Sequence, residues 1–282
     1  MIDFYHEIKK FGDRVAFRYF NEDDLKEVTY IQYYNDICEC LDNIMHVHGG
    51  EIRDAHVVTI LSNSYEFIVL VAAVILGGAV VVPLNTLESP DNKKHMIEDA
   101  DIDILVTEDT DGVDYGIRET VSISKLCSFK REKTFNYEFD TQDENKLSFI
   151  VFTSGTTGRA KGVMLPLKSL FQYRKEILPL EYRGGNETED ILKAYLVFPL
   201  YHVAGLCSWL SWCMQGAIIY LNKNIGSTLL ELEHIKIDYA FVPPAVMKLW
   251  YKAIKRNGVE KLGGIKAIST TGAPADKNII EY

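Results

Sequence analysis

The feature that most constrains the fold of this chain is the regular alternation of strand-like and helix-like segments between residues 56 and 107. HVVTIL predicts a strand, the Ser-Asn-Ser sequence at 62–64 predicts a turn and helix cap, and YEFIVLVAAVILGG predicts a buried helix that glycine ends. AVVVPL predicts a second strand, Pro90 begins a polar helix, and DIDILVTE predicts a third strand. This order predicts an α/β fold in which parallel strands are joined by crossover helices.

A second alternating block starts near residue 193. Its predicted strands are KAYLVF, AIIYL, DYAFV and IKAISTTG, and its predicted helices are VAGLCSWLSWCMQG, GSTLLELEHI and PPAVMKLWYKAIK. A polar stretch with two glycines, YRGGNETEDI at 182–191, separates this block from the first. Outside the two blocks, TYIQYYNDICECLDNIM predicts a helix with Thr29 as its N-cap. KLSFIVF predicts a strand that leads into a glycine-rich loop, and LKSLFQYRKEIL predicts the helix that follows.

Charge and cysteine content narrow the functional class. The net charge of −10 argues against a general nucleic-acid or anionic-membrane binder, so no nucleic-acid partner is expected. The five cysteines include no CxxC pair, which predicts reduced thiols rather than a disulfide framework or a metal site. The first residues lack the apolar core of a signal peptide, so the expected location is the cytoplasm.

The longest apolar stretch, FIVLVAAVILGGAVVVPL, is long enough to cross a membrane. However, Gly77 and Gly78 interrupt it and Pro83 stands near its end. We therefore interpret it as a buried helix, a turn and a buried strand, and expect no membrane span.

The segment VFTSGTTGRAKGVML, residues 151–165, carries the strongest functional signal. Its glycines let the backbone fold closely around an anion, its hydroxyls donate hydrogen bonds, and Lys161 supplies a positive charge, which together suit a phosphate group. It is not a Walker A loop, because Lys161 precedes Gly162 with the wrong spacing, and it is not a Gly-x-Gly-x-x-Gly loop. On composition alone, a flexible surface loop and a phosphate-binding loop are equally good interpretations.

FTSGTTGRAKGV resembles the signature Thr-Ser-Gly-Thr-Thr-Gly-x-Pro-Lys-Gly of the adenylate-forming superfamily, which includes acyl-CoA synthetases, luciferases and peptide-synthetase adenylation domains. The chain departs from this pattern at Ala160, which stands where the family has proline. Further segments resemble family motifs, in family order, over nearly the whole chain: VTYIQYYNDI, LGGAVVVPLN, FPLYHVAGL, VPPAVMKLW and AISTTGAP. The chain is therefore identified as a member of this superfamily.

The resemblance implies an α/β fold with two stacked, mostly parallel sheets and flanking helices, as in the N-terminal domain of these enzymes. Approximate subdomains are expected at 51–185, which contains the phosphate loop 153–162, and at 1–50 plus 190–282. The family's later elements, including its small mobile C-terminal domain, are absent, so we expect an incomplete N-terminal domain, truncated at its C-terminus. Such a domain is expected to be inefficient in adenylation by itself, and its exposed sheet edge suggests a homodimer.

The resemblance also implies a reaction. The family couples a small-molecule carboxylic acid to ATP with the help of Mg²⁺, and coenzyme A then usually displaces AMP. The glycine-rich loop would hold the β- and γ-phosphates, with Thr157 also at the metal, whereas Arg159 is interpreted as a solvated surface cation. The cofactor-binding residues implied in the loop are Thr153, Ser154, Gly155, Thr156, Thr157, Gly158 and Lys161.

Two more segments are implied to line the site. His202 is the candidate catalytic residue, near the reacting carboxylate, where either ring nitrogen can donate to a developing oxyanion. Its alternative interpretation is a histidine that caps the following helix. A second cofactor-binding segment, beside the acyl group and the adenine, consists of Thr271, Gly272, Ala273 and Pro274. Gly272 is also explained by an ordinary turn.

Two classes of function remain open at this point. The first is an AMP-forming acyl-CoA synthetase, represented by its N-terminal part. Within that class, FPLYHV contains no aspartate to hold an amino acid's ammonium group, which disfavours a peptide-synthetase-type adenylation domain. The second class is a catalytically silent nucleotide-binding or scaffolding fragment.

Overall fold

The structure is a computed structural model in which two six-stranded sheets are covered by helices. It describes residues 4–21, 24–108, 115–117, 119–131, 135, 143–153, 159–171, 191–222, 228, 232, 235–257, 264–274 and 277–280. The central part of the phosphate loop, most of the predicted helix GSTLLELEHI and the second half of LKSLFQYRKEIL lie outside these residues.

One sheet, called sheet I, contains strands from both ends of the chain in the order β12-β11-β9-β10-β1-β2. Neighbouring strands are parallel except for the edge pair β1 and β2, which is antiparallel. Its strands are β1 (Val15–Asn21), β2 (Asp24–Thr29), β9 (Lys193–Leu196), β10 (Ile218–Leu221), β11 (Tyr239–Phe241) and β12 (Ala267–Ser269).

The other sheet, called sheet II, is built from the middle of the chain in the order β6-β5-β3-β4-β7-β8. It too is parallel apart from one antiparallel edge pair, β7 and β8. Its strands are β3 (His56–Ile60), β4 (Val80–Leu84), β5 (Ile104–Thr107), β6 (Glu119–Ser122), β7 (Leu147–Thr153) and β8 (Lys161–Pro166). The predicted α/β architecture of two mostly parallel sheets is confirmed.

The predicted helices occur in the predicted order where the structure describes them, together with two short helices, at 4–9 and 123–126, that were not predicted. Their bounds are α1 (Phe4–Lys9), α2 (Tyr30–His48), α3 (Tyr65–Leu76), α4 (Pro90–Asp99), α5 (Ile123–Leu126), α6 (Leu167–Phe171), α7 (Val203–Cys213), α8 (Pro244–Asn257) and α9 (Lys277–Ile280). Thr29 caps α2 as predicted: its hydroxyl accepts from the Gln32 backbone N–H at 3.3 Å, and the Gln32 side chain accepts from the Thr29 N–H at 2.9 Å. This reciprocal capping box satisfies two of the N–H groups that a helix start leaves unpaired.

The long apolar stretch divides as predicted into α3, a turn and β4. Nearly every side chain of α3 is buried, because the helix packs in the main core that both sheets share. Gly78 has φ of +73°, which suits glycine at the sharp turn back into β4. No helix among the described residues combines the length and the apolar character that crossing a bilayer requires.

Candidate active site

The carboxyl ends of the parallel strands of sheet I meet at one edge of that sheet. β9 leads into residues 197–202, β11 leads into Val242 and Pro243, and β12 leads into residues 270–274. Because open parallel sheets bind ligands at this edge, the arrangement brings His202 and Gly272 to the same candidate site.

His202 lies at the N-terminus of α7 and serves as its N-cap. Its Nδ1 accepts a hydrogen bond from the Ala204 backbone N–H at 3.2 Å. A ring nitrogen that accepts has no proton, so in the neutral ring the proton is on Nε2. Burial against the protein lowers the pKa of the ring, which favours this neutral form. The capping interpretation is therefore correct, and it leaves a donor, Nε2–H, that the cap does not use.

Aromatic side chains lie beside His202. The Phe198 ring is centred 6.1 Å from the imidazole, and the Phe241 ring at the end of β11 is centred 4.5 Å from Phe198. Trp209 and Trp212 of α7 are fully buried in the core. The apolar environment next to the histidine therefore comes from two buried phenylalanines that the sequence alone did not single out.

Gly205 sets how closely α7 approaches the segment before it. A Cβ at this position would lie 2.3 Å from the Pro199 carbonyl oxygen, a distance that no side chain can occupy. The same carbonyl accepts from the His202 backbone N–H at 3.0 Å, and the His202 carbonyl accepts from Gly205 N–H at 3.0 Å. Glycine at 205 therefore allows the tight turn that presents His202.

The predicted phosphate loop, residues 153–162, begins at the carboxyl end of β7, and we call this segment the phosphate hairpin. Thr153 and Lys161 are directly opposite each other in the antiparallel β7–β8 ladder, and both are exposed. A Cβ on Gly162 would lie 2.9 Å from Ile150 Cγ2, so glycine lets the hairpin close over that side chain. The predicted contacts Ser154, Gly155, Thr156, Thr157 and Gly158 lie outside the described residues.

The turn after β12 is exposed and contains a glycine in the left-handed conformation. Gly272 has φ of +90°, a conformation that glycine adopts most readily. Thr271, Gly272, Ala273 and Pro274 are all exposed at the edge of the sheet. The Thr270 Oγ1 is buried and has no hydrogen-bond partner within the described part of the chain.

Thr157, the predicted magnesium contact, lies outside the described residues. Within them, no group of three or more His, Cys, Asp or Glu side chains could hold a metal ion.

Because His202 caps α7, the stability of the folded chain is expected to depend on pH. The pKa of His202 is lowered in the folded chain, so the cap contributes stability above the ordinary histidine pKa of about 6.5 and loses it as pH falls towards the folded value. Protonated Nδ1 cannot accept from Ala204 N–H. His202→Asn keeps an N-cap acceptor that does not titrate, so between pH 7.5 and 5.5 wild type should lose more free energy of unfolding than the variant does. Urea unfolding at both pH values measures this difference, and equal losses would contradict it.

A model of the family described as AMP-binding enzyme matches residues 4–281, so this chain belongs to that family. The resemblance to adenylate-forming enzymes is thereby confirmed. Curated relatives include 2-succinylbenzoate–CoA ligases: the protein of Bacillus cereus strain Q1 is 26% identical over 258 residues, and that of Bacillus anthracis strain A0248 is 27% identical over 258 residues. In both cases the match covers 91% of this chain and 51% of the relative. The chain thus spans about half the length of the curated relatives it matches.

Solved structures support the fold. The N-terminal subdomain of Klebsiella oxytoca NpsA in complex with 3-hydroxybenzoyl-AMSN matches with a TM-score of 0.80 and 16% identity, over 99% of this chain and 67% of that one. o-Succinylbenzoate CoA synthetase from Bacillus subtilis, in complex with the acyl-adenylate intermediate OSB-AMP, matches with a TM-score of 0.81 and 18% identity, over 100% of this chain and 56% of that one. The two-sheet architecture is therefore that of the N-terminal subdomain of adenylate-forming enzymes.

Proposed function

We propose that this chain is the nucleotide- and acid-binding part of an AMP-forming acid–thiol ligase that activates an aromatic carboxylic acid, with 2-succinylbenzoate as the first candidate. The observation that carries the proposal is the placement of two kinds of group at strand ends: the Thr153–Lys161 hairpin in sheet II, and His202 with Gly272 in sheet I. The family match supports the nucleotide, and the curated relatives support the acid. The proposed location is the cytoplasm, where ATP and coenzyme A are available.

The first step joins the acid to the nucleotide. A carboxylate oxygen forms a bond to the α-phosphorus of ATP, the bond from that phosphorus to the bridging oxygen breaks, and pyrophosphate leaves with the electron pair. The ammonium of Lys161, with the hydroxyl of Thr153 opposite it, would neutralise the negative charge on the departing phosphates. Mg²⁺ would accompany the nucleotide and share this role when bound.

The second step transfers the acyl group to a thiol. The sulfur of coenzyme A bonds to the acyl carbonyl carbon, the bond from that carbon to the phosphate oxygen breaks, and AMP leaves with the electron pair, while the thiol proton passes to solvent. The Nε2–H of His202 is free of the cap and is suited to donate to the acyl oxygen, which gains negative charge during the attack. The buried Phe198–Phe241 pair beside the ring gives the imidazole an apolar environment on that side.

Binding of a stable acyl-adenylate analogue tests the proposed function on the 282-residue chain itself. The 2-succinylbenzoyl sulfamate of adenosine should bind about 10-fold to 100-fold more tightly than AMP by calorimetry, because its aromatic acyl group buries apolar surface. An adenosine sulfamate with an acetyl group is the matched control and should gain much less. Equal affinity for the three ligands would contradict the assignment of an acyl site, and no binding of any of them would contradict the nucleotide assignment.

A further inference from the structure

The turn between β3 and α3 contains a side chain that joins the two sheets. Asn63 Nδ2 donates to the Phe198 carbonyl at 3.1 Å, and Asn63 Oδ1 accepts from the Leu200 backbone N–H at 2.8 Å. We call these two hydrogen bonds the amide bridge. They connect positions more than 130 residues apart in the chain, from the end of a sheet II strand to the segment that follows β9 of sheet I.

The residues on either side of Asn63, Ser62 and Ser64, are themselves held by hydrogen bonds. The Ser62 backbone N–H donates to Glu108 Oε1 at 2.8 Å, at the end of β5. The Ser64 hydroxyl caps α3 by accepting from the Phe67 backbone N–H at 3.1 Å. Asn63 therefore projects from a turn that is fixed to the end of β5 and to the start of α3, and rigid support of this kind allows a side chain to position its partner.

The partner of the amide bridge is the segment that presents His202. Between its two bridged groups lies Pro199, whose carbonyl accepts from the His202 backbone N–H at 3.0 Å. Holding Phe198 and Leu200 therefore fixes the orientation of the Pro199 carbonyl and, through it, the start of α7. Phe198 is also the ring that lies next to the imidazole.

Only an amide of this length suits the bridge. Asn63 must donate to one backbone group and accept from another two residues away, and an asparagine side chain carries a donor and an acceptor on the same amide group. Aspartate has the same shape and could still accept from Leu200, but it would place a carboxylate against the Phe198 carbonyl.

We infer that Asn63 is a positioning residue, which fixes His202 relative to the sheet that carries the phosphate hairpin. The catalytic role of this positioning rests on the proposed function, whereas the structural coupling of Asn63 to His202 does not depend on that function. Two measurements on the full chain test the structural coupling and the role in ligand binding separately.

The first measurement follows the His202 imidazole by nitrogen-15 NMR. In wild type we expect the Nε2–H tautomer. In Asn63→Ala and Asn63→Asp the cap should loosen, the tautomer preference should be lost, and the titration midpoint should rise towards the ordinary value of about 6.5. Asn43→Ala is the matched control, because Asn43 Nδ2 donates to the Leu126 carbonyl at 2.9 Å, away from this segment. An unchanged His202 signal in folded Asn63→Asp would overturn the inference.

The second measurement compares ligands. Asn63→Asp should lower the affinity for the 2-succinylbenzoyl sulfamate of adenosine by about tenfold and leave AMP affinity within about twofold, because the amide bridge orients the acyl side of the site. Asn43→Ala should change neither. Equal loss for both ligands would overturn the positioning role. If wild type binds neither ligand, the proposed function fails, and the NMR result alone decides whether Asn63 positions His202.

Discussion

Arg131→Met is expected to lower the free energy of unfolding by about 3 kcal/mol, because it leaves a buried carboxylate without its cation. Asp36 on α2 is fully buried and accepts from Arg131 Nη2 at 2.8 Å and Nε at 3.1 Å, and from the Tyr65 hydroxyl at 2.6 Å. The guanidinium is partly exposed, so we place the effect at the low end for buried pairs. Chemical unfolding measures the loss, with Lys10→Met as a control in an exposed ion pair, expected within about 0.5 kcal/mol.

The pH dependence of the Arg131→Met effect and a double variant show whether the destabilisation comes from a buried charge or from lost packing. Desolvation raises the pKa of Asp36, so the folded chain binds its proton more tightly than the unfolded chain does. The destabilisation in Arg131→Met should therefore diminish as pH falls through the folded pKa of this carboxyl. Asp36→Asn with Arg131→Met should recover much of the loss at neutral pH, because no charge then remains buried. A loss that is independent of pH and unaffected by Asp36→Asn would contradict this explanation.

Gly205→Ala is expected to lower the free energy of unfolding by about 2–3 kcal/mol, because the new Cβ would meet the Pro199 carbonyl oxygen. Backbone atoms on both sides must move to relieve the contact, so the start of α7 should shift and weaken the His202 cap. Gly50→Ala is the matched control: no heavy atom lies within 4 Å of its added Cβ and its φ is outside the left-handed range. The control should stay within about 0.5 kcal/mol, and similar stability of the two variants would show that the turn at 199–205 is looser than described.

The buried strands and helices were predictable because their sequences repeat apolar residues at the period of the element. β3, α3 and β4 are almost wholly buried, so their sequences show the pattern without interruption. β1 was missed because the burial of its side chains does not alternate regularly. β2 and β8 were also missed, since both are edge strands whose side chains are mostly exposed and do not alternate. Their strand conformation comes from antiparallel pairing with β1 and β7, which local sequence does not reveal.

The candidate site was predictable only where a local motif marks it. The hairpin, His202 and the turn at 270–274 were identified because each has a short sequence pattern of its own. Asn63 was predicted only as part of a turn, because its partners lie more than 130 residues away in the chain. The same holds for Asp36 and Arg131, which are brought together by packing of residue 131 on α2. A polar residue within a short turn between two buried elements was the one available signal for Asn63.

The central claim is that the hairpin at 153–162 binds the phosphates of a nucleotide, and calorimetry of ATP–Mg²⁺ with two hairpin variants tests it most directly. Lys161→Ala should weaken binding by about 1.5–3 kcal/mol, roughly 10-fold to 150-fold, because a charge-assisted contact is lost. Arg159→Ala removes an equally exposed cation two residues away and should change affinity by less than about threefold. Loss confined to Lys161→Ala is the predicted result. Unchanged affinity in Lys161→Ala, or equal losses in both variants, would contradict the account.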